Sequence, residues 1–173
     1  MAIVSDKEQN TETPPADSSI SHDFGILTTR LLSTLEEMAG LFAQFGEEWA
    51  LVGGLSVSAY VEPRFTPDIG VVVSVEGDRE AEVFVQSWRH AGFTIASVVE
   101  QERSGRLATI RSHRPGDEHR TVVDLIFASS GIELEIAAEA RDLELAPALE
   151  VSVARQGHLV ALKVLSADPE TRP

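Results

Sequence analysis

The longest regular pattern in the chain is an apolar stripe at helical spacing. It runs from Phe24 to Phe45 and includes Leu27, Leu31, Leu35, Met38 and Phe42. Spacings of three and four residues place these side chains on one face of an α-helix, and Asp23 is a suitable N-cap. The pattern predicts a helix that packs on a core through this face. Contact with a partner helix is the alternative.

Apolar runs of strand length follow the stripe and alternate with helical segments. Strands are predicted at 49–52, 68–75, 93–99, 106–112, 121–127 and 149–154. Further helices are predicted at 55–61, 78–91, 132–140 and 158–167. This order predicts an α+β (mixed α/β) domain.

The segment before the stripe, residues 1–22, is polar and contains Pro14, Pro15, Ser18 and Ser19. Such a segment cannot bury enough apolar surface to offset the entropy lost on ordering. We therefore expect a disordered tail at 1–22 and one folded domain at 23–173, a length that supports a sizeable core.

Composition narrows the functional classes. The 173 residues include no cysteine, so disulfides and thiolate metal sites are excluded, in agreement with a cytoplasmic protein. We find no secretory signal pattern and no apolar run near the ~18 residues that span a bilayer, so no membrane association is expected. The formal net charge of −14 disfavours broad nucleic-acid binding.

Positive charge is concentrated in one segment. Five arginines lie between Arg103 and Arg120, together with His113 and His119. This segment is either a solvated face of a hairpin or a local landing site for a phosphate-bearing substrate. The sequence leaves both readings open.

Candidate chemistry begins on the strand that Asp68 opens. Side chains alternate between the two faces of a strand, so positions 68 and 70 lie on one face, roughly 6.6 Å apart. Two carboxylates there could hold two divalent cations on one phosphate. Position 70 is Gly70, so only Asp68 is available.

A second candidate is Asp124, which lies inside the apolar run Thr-Val-Val-Asp-Leu-Ile-Phe. A carboxylate in such a run is costly to bury unless it is paired, hydrogen-bonded or metal-bound. Asp124 is therefore either ion-paired to one of the arginines or a functional acid. As a functional acid it would be a metal ligand or the base for an attacking hydroxyl.

A third candidate is Gly53-Gly54, at a predicted strand-to-helix junction. Glycine permits close approach of a ligand, and backbone N–H groups at a helix N-terminus bind phosphate, although a Gly-Gly pair is often only a turn. Arg64 could contact phosphate through its planar guanidinium or form a surface ion pair.

In this order and spacing, the candidates resemble the motif of the nucleotidyltransferase superfamily, and most closely that of the minimal nucleotidyltransferases and the AbiEii-type toxin group. That motif runs Gly-Gly, nine residues, Arg-x-Thr-x-Asp-Ile-Asp. The matching positions here are Gly53, Gly54, Arg64, Thr66, Asp68 and Ile69, and Gly70 replaces the last Asp. The resemblance continues at Asp124 and at the run Leu-Val-Ala-Leu-Lys that ends at Lys163, and it covers residues 45–167.

The resemblance implies a nucleotidyltransferase-like fold, a small mixed β-sheet flanked by helices. It also implies transfer of a nucleoside monophosphate from a nucleoside triphosphate to an RNA end, a protein or a small molecule, with Mg²⁺ as cofactor. A toxin–antitoxin component with an antitoxin partner is a further implication.

The resemblance also assigns roles to residues. It implies that Asp68 and Asp124 bind metal and act in catalysis. The nucleotide-binding residues that it implies are Gly53, Gly54, Arg64, Thr66 and Lys163.

Gly70 removes a ligand that the resemblance expects to hold both metals. Loss of such charge stabilisation raises the transition-state barrier substantially, and Glu76 and Asp78 lie past the end of the strand. We therefore expect weak or absent catalysis. The alternative is a non-catalytic pseudoenzyme that binds a nucleotide or a protein.

Overall fold

A computed structural model describes residues 18–61, 66–101, 105–115, 121–128 and 131–165, with the side chains of 18–28 left out. Within these residues the chain forms five helices and seven strands. The helices are α1 (Ser18–Phe45), α2 (Gly53–Ser58), α3 (Asp78–His90), α4 (Ile132–Ala138) and α5 (Gln156–Leu165). The strands are β1 (Trp49–Val52), β2 (Asp68–Ser74), β3 (Thr94–Glu100), β4 (Leu107–His113), β5 (Val122–Ala128), β6 (Arg141–Ala146) and β7 (Leu149–Val153).

All seven strands join one mixed sheet in the order β3-β4-β5-β2-β1-β7-β6. The two central strands, β2 and β5, are parallel, and β1 is parallel to β7. The other neighbours are antiparallel. Parallel neighbours need a long crossover connection, and the chain supplies one between β2 and β5 through α3 and the β3–β4 hairpin. The prediction of an α+β fold with a mixed sheet and flanking helices is confirmed.

The larger core lies between one face of the sheet and the helices α1 and α3. The α1 stripe enters this core as predicted, with Leu35, Met38 and Phe42 fully buried. Phe42 stacks on Trp49 at a centroid distance of 4.7 Å and on Trp88 of α3 at 5.9 Å. The amphipathic pattern of α1 therefore serves the interior of this domain.

A buried polar contact fixes α3 to the sheet. The indole Nε1 of Trp88 donates to the hydroxyl of Ser112 on β4 at 3.0 Å. The same hydroxyl donates to the carbonyl of Val123 on β5 at 3.2 Å. Both polar groups are thus satisfied away from water.

The opposite face of the sheet carries a second, smaller core. Side chains of the sheet pack there under α4 and α5, namely Ala50, Val52, Val72 and Ala128, together with Ile136 and Ala137 of α4 and Ala154 after β7. Leu159 and Leu162 of α5 pack against this group. Asp68, Gly70 and Asp124 belong to this second face, because side chains alternate along β2 and β5.

Helix α1 and strand β6 differ most from the sequence-based expectation. Helix α1 begins at Ser18, so it includes the last residues assigned to the tail, while 1–17 lie outside the described residues. Once a helix is nucleated, each added residue gains a hydrogen bond at little cost, so the helix extends beyond the apolar stripe. Strand β6 (Arg141–Ala146) was not predicted, because its alternation carries exposed charges such as Arg141 and Asp142 on a sheet edge.

Candidate functional site

The Gly-Gly pair lies where β1 ends and α2 begins. Gly53 has a φ of +76°, in the left-handed region that favours glycine. At Gly54, an added Cβ would lie 3.3 Å from Cβ and Oγ1 of Thr66. Backbone conformation therefore favours the first glycine, and close packing against Thr66 favours the second. The structure brings these two parts of the motif into contact.

Four strands contribute one residue each to a row across the second face. Gly70 of β2 is opposite Val52 of β1 and also opposite Asp124 of β5. Asp124 is in turn opposite Arg111 of β4. Paired residues on neighbouring strands point to the same side of a sheet. The row Val52–Gly70–Asp124–Arg111 therefore runs from the Gly-Gly junction to the basic segment.

Asp68 lies on the same face, two residues before Gly70, and its side chain is exposed. Strand spacing and rise place its Cα roughly 8 Å from that of Asp124. The structure therefore brings Asp68 and Asp124 to one face of the sheet. Thr66 precedes them, with its Oγ1 3.5 Å from the amide nitrogen of Asp68.

Arg111 holds the carboxylate of Asp124 with both arms of its guanidinium. Nε donates to Oδ1 and Nη2 donates to Oδ2, each at 2.8 Å. This hydrogen bonding raises the pKa of Arg111 above its usual value, and the charges of Asp124 and Asp68 add to the effect. Asp124 retains 25% of its side-chain exposure and Arg111 retains 54%. Of the two readings that the sequence left open for Asp124, the structure shows the ion pair.

These residues do not fit a two-cation site. Both oxygens of Asp124 already accept from Arg111, and position 70 offers no carboxylate. Asp68 alone supplies too few oxygen ligands to hold two divalent ions, and the fixed positive charge of Arg111 opposes a cation beside Asp124. The predicted roles of Asp68 and Asp124 as metal ligands stay untested predictions, and the ion pair weighs against them.

A different group of possible ligands lies on α4 and α5. Glu135, Glu139 and His158 place ligand atoms within 4.8 Å of one another, within the part of the chain that the structure describes. Glu139 is paired with Arg155 at 2.7 Å, and Nε2 of His158 lies 3.2 Å from Glu135. An ion pair and a histidine–carboxylate hydrogen bond therefore account for the cluster, which includes neither Asp68 nor Asp124.

The structure says less about the position of Arg64 and Lys163, the other two predicted nucleotide-binding residues. Arg64 lies outside the described residues. Lys163 is exposed in the last turn of α5, and α5 contacts α2, the helix that begins at the Gly-Gly pair. The roles of Arg64 and Lys163 stay predictions.

The basic segment is divided between the two faces of the sheet. Arg111 projects to the second face, whereas the guanidinium of Arg114 lies 4.6 Å above the ring of Phe93 and pairs with Glu37 of α1. Arg111 was not singled out from sequence. The signal that could have found it is a charged residue inside an apolar strand next to the strand that carries Asp124.

No family model and no curated protein matches this chain. Among solved structures, an antigenic nucleotidyltransferase-like protein from Paracoccidioides brasiliensis is similar at a TM-score of 0.49 and 18% identity, over 79% of this chain and 65% of that one. The antibiotic-resistance factor ANT(2'')-Ia is similar at 0.47 and 16%, over 84% and 77%. JHP933 from Helicobacter pylori is similar at 0.41 and 13%, over 91% and 60%.

This chain spans less than two-thirds of the first and third of these structures. With identities below 20% and TM-scores below 0.5, the three likenesses do not decide the family. No helix among the described residues is long and apolar enough to cross a membrane. The case for a function therefore rests on the motif and on where the fold places it.

Proposed function

We propose that this chain is a nucleotidyltransferase-fold domain that binds a nucleoside triphosphate on the second face of its sheet, and that nucleotidyl transfer is weak or absent. The observation that carries the proposal is the row from the Gly-Gly junction through Gly70 to Asp124. It joins three separate parts of the motif, which is more than a chance Gly-Gly turn requires.

Phosphate binding is supported by the backbone at the Gly-Gly junction. Gly53 and Gly54 carry no side chains that would keep a ligand from the backbone. Thr66 packs against Gly54 and stands next to Asp68. A hydroxyl and backbone N–H groups are suitable donors to phosphate oxygens.

Weak transfer follows from the state of the carboxylates. In the reaction, an acceptor hydroxyl attacks the α-phosphorus, the bond to pyrophosphate breaks, and a base takes the hydroxyl proton. Asp124 is poorly placed to take that proton, because Arg111 donates to both of its oxygens. Gly70 offers no second carboxylate beside Asp68.

The test is label transfer from α-labelled nucleoside triphosphates, with Mg²⁺ supplied, into pooled RNA, protein and small-molecule acceptors. We expect the natural chain to bind nucleotide and transfer little label. The Gly70→Asp variant should transfer more label, because it adds a carboxylate beside Asp68. The double variant Gly70→Asp with Arg111→Gln should transfer about a hundredfold more label than the natural chain, because it also frees the carboxylate of Asp124.

Gly70→Ala is the matched control. A Cβ at this position would lie 3.3 Å from the carbonyl oxygen of Val52, so both substitutions require a small shift there, and only Asp adds charge. Equal transfer by the Ala and Asp variants would refute the role of position 70. Absence of nucleotide binding by every variant would refute the proposal itself.

A further inference from the structure

The ion pair between Arg111 and Asp124 is the feature of the site that the proposed function leaves unexplained. The contact is bidentate, with two hydrogen bonds of 2.8 Å. Such a planar pair fixes the direction of the guanidinium as well as neutralising charge. Asp124 therefore holds a positive group in a defined place on the second face.

The charges of the site suit an anion better than a cation. The acidic side chains that the described residues of β2 and β5 bring to the site are Asp68 and Asp124. Arg111 neutralises the negative charge of Asp124. In a chain of net charge −14, a triphosphate is repelled in general and needs a local positive group. Arg111 supplies that group at the end of the row that begins beside the Gly-Gly junction.

Arg111 also has capacity for a ligand. A guanidinium has five N–H donors, and the contact with Asp124 uses Nε and Nη2. The side chain is 54% exposed despite the ion pair. Its outer edge can therefore donate to phosphate oxygens while the inner edge stays on Asp124.

We infer that Arg111 is the resident cation of this site in place of a protein-held divalent ion, so that nucleotide phosphates bind there without metal. This inference rests on the proposed nucleotide-binding function. It predicts that the protein excludes metal from Asp124 and that Arg111 makes the main charged contact with the ligand.

The first test measures metal directly, with no nucleotide present. Mn²⁺ binding is followed by electron paramagnetic resonance in the full chain carrying Glu139→Gln, which removes one of the three possible ligands in the group of Glu135, Glu139 and His158. We expect weak Mn²⁺ binding in this background and at least a tenfold gain in affinity when Arg111→Gln is added. The gain should vanish when Asp68→Asn is added, because the freed site needs both acids.

The second test measures nucleotide affinity by equilibrium dialysis of labelled ATP, with excess EDTA or with Mg²⁺. We expect less than a threefold difference between the two conditions for the natural chain. In EDTA, Arg111→Gln should lose at least tenfold in affinity. Arg89→Gln, which removes an exposed arginine from α3, a helix that packs on the opposite face of the sheet, should stay within twofold.

The outcomes separate the two proposals. Binding of ATP only with Mg²⁺, or strong Mn²⁺ binding that Arg111→Gln leaves unchanged, overturns the inference and leaves the proposed function standing. No ATP binding in either condition overturns both. Should Arg111→Gln fail to fold by circular dichroism, Arg111→Lys serves instead. A lysine keeps the charge but cannot hold both oxygens of Asp124, so a partial gain in Mn²⁺ affinity supports the inference and none overturns it.

Discussion

Asp124 shows how one neighbouring side chain sets the chemistry of a residue. The carboxylate lies in an apolar strand, where an unpaired charge would be costly. Arg111 removes that cost with two hydrogen bonds. The same contact occupies both carboxylate oxygens of Asp124, so a second ligand must share them with Arg111. A residue in a catalytic motif is therefore a candidate for function only when its partners are known.

Glu47 gives a pH-dependent prediction at the same scale. Partial burial raises its pKa, and the nearby charges of Glu80 and Glu76 raise it further. The folded state thus binds this proton more tightly than the unfolded chain does. The contribution of Glu47 to stability falls as pH rises from below its unfolded pKa through the raised folded pKa.

Glu47→Gln should therefore raise the free energy of unfolding at neutral pH, by roughly 0.5 kcal/mol after allowance for solvent screening. At about pH 3, where the group is protonated in both states, the gain should disappear. Urea denaturation at the two pH values measures this. Glu36→Gln, which removes an exposed charge from α1, is the control. An equal gain from both variants would mean that the effect is one of net charge.

Among the elements, α1 contributes a row of buried side chains to the larger core. Its stripe meets the aromatic side chains of β1 and α3, and Phe42 stands at the centre of the stack with Trp49, Phe84 and Trp88. The rings are stacked, with centroid distances between 4.7 and 5.9 Å. Such contacts add to the energy of burial. The helix is thus part of the folded unit that supports the site.

Phe42→Ala should lower the free energy of unfolding by about 3–5 kcal/mol, because it leaves a cavity in a fully packed region. Chemical denaturation followed by tryptophan fluorescence measures the loss and also reports on Trp49 and Trp88. Gln44→Ala, an exposed change on the same helix, should alter stability by less than about 0.5 kcal/mol. A loss below 1 kcal/mol for Phe42→Ala would contradict the packing role of α1.

Sequence periodicity predicted most elements, because their apolar positions follow one clear period. The strand at Trp49–Val52 matches the predicted bounds, and α3 ends one residue before the predicted end. Strand β6 was not predicted, because an edge strand needs few apolar side chains. Its alternation includes charged residues and therefore did not indicate a strand. Local pattern therefore predicts well the elements that bury one face, and poorly the elements at the edge of the sheet.

At the scale of the whole molecule, strand order decided what could be predicted of the site. The motif placed Asp68 and Asp124 on strands, but one sequence does not give the order or register of strands. The contact of Arg111 with Asp124 depends on β4 lying beside β5 in one register. A slip of one residue would point Arg111 to the opposite face. The residue that most changes the chemistry was therefore not predicted.

The charge of the molecule gives a further prediction. With a net charge of −14 and with Arg111 and Arg114 on opposite sides of the sheet, the chain should not retain a mixed RNA pool at about 50 mM salt, a concentration low enough to favour non-specific binding. Filter binding measures this, with a basic RNA-binding protein as positive control. Retention that falls steeply as salt rises would show an extended phosphate-binding surface and contradict the prediction.

The parallel pairing of β2 with β5 also sets the order in which the molecule can assemble. The two strands are joined through α3, β3 and β4, so their contact closes a long loop, whereas the β3–β4 hairpin needs only a short one. Long-range closures are the slow steps of folding. During synthesis on the ribosome, β2 with Asp68 emerges well before β5. Until β5 emerges, the edge of β2 that pairs with it is unpaired. The second face of the sheet, with Asp68 beside Asp124, is therefore completed only after the hairpin that carries Arg111 has been made.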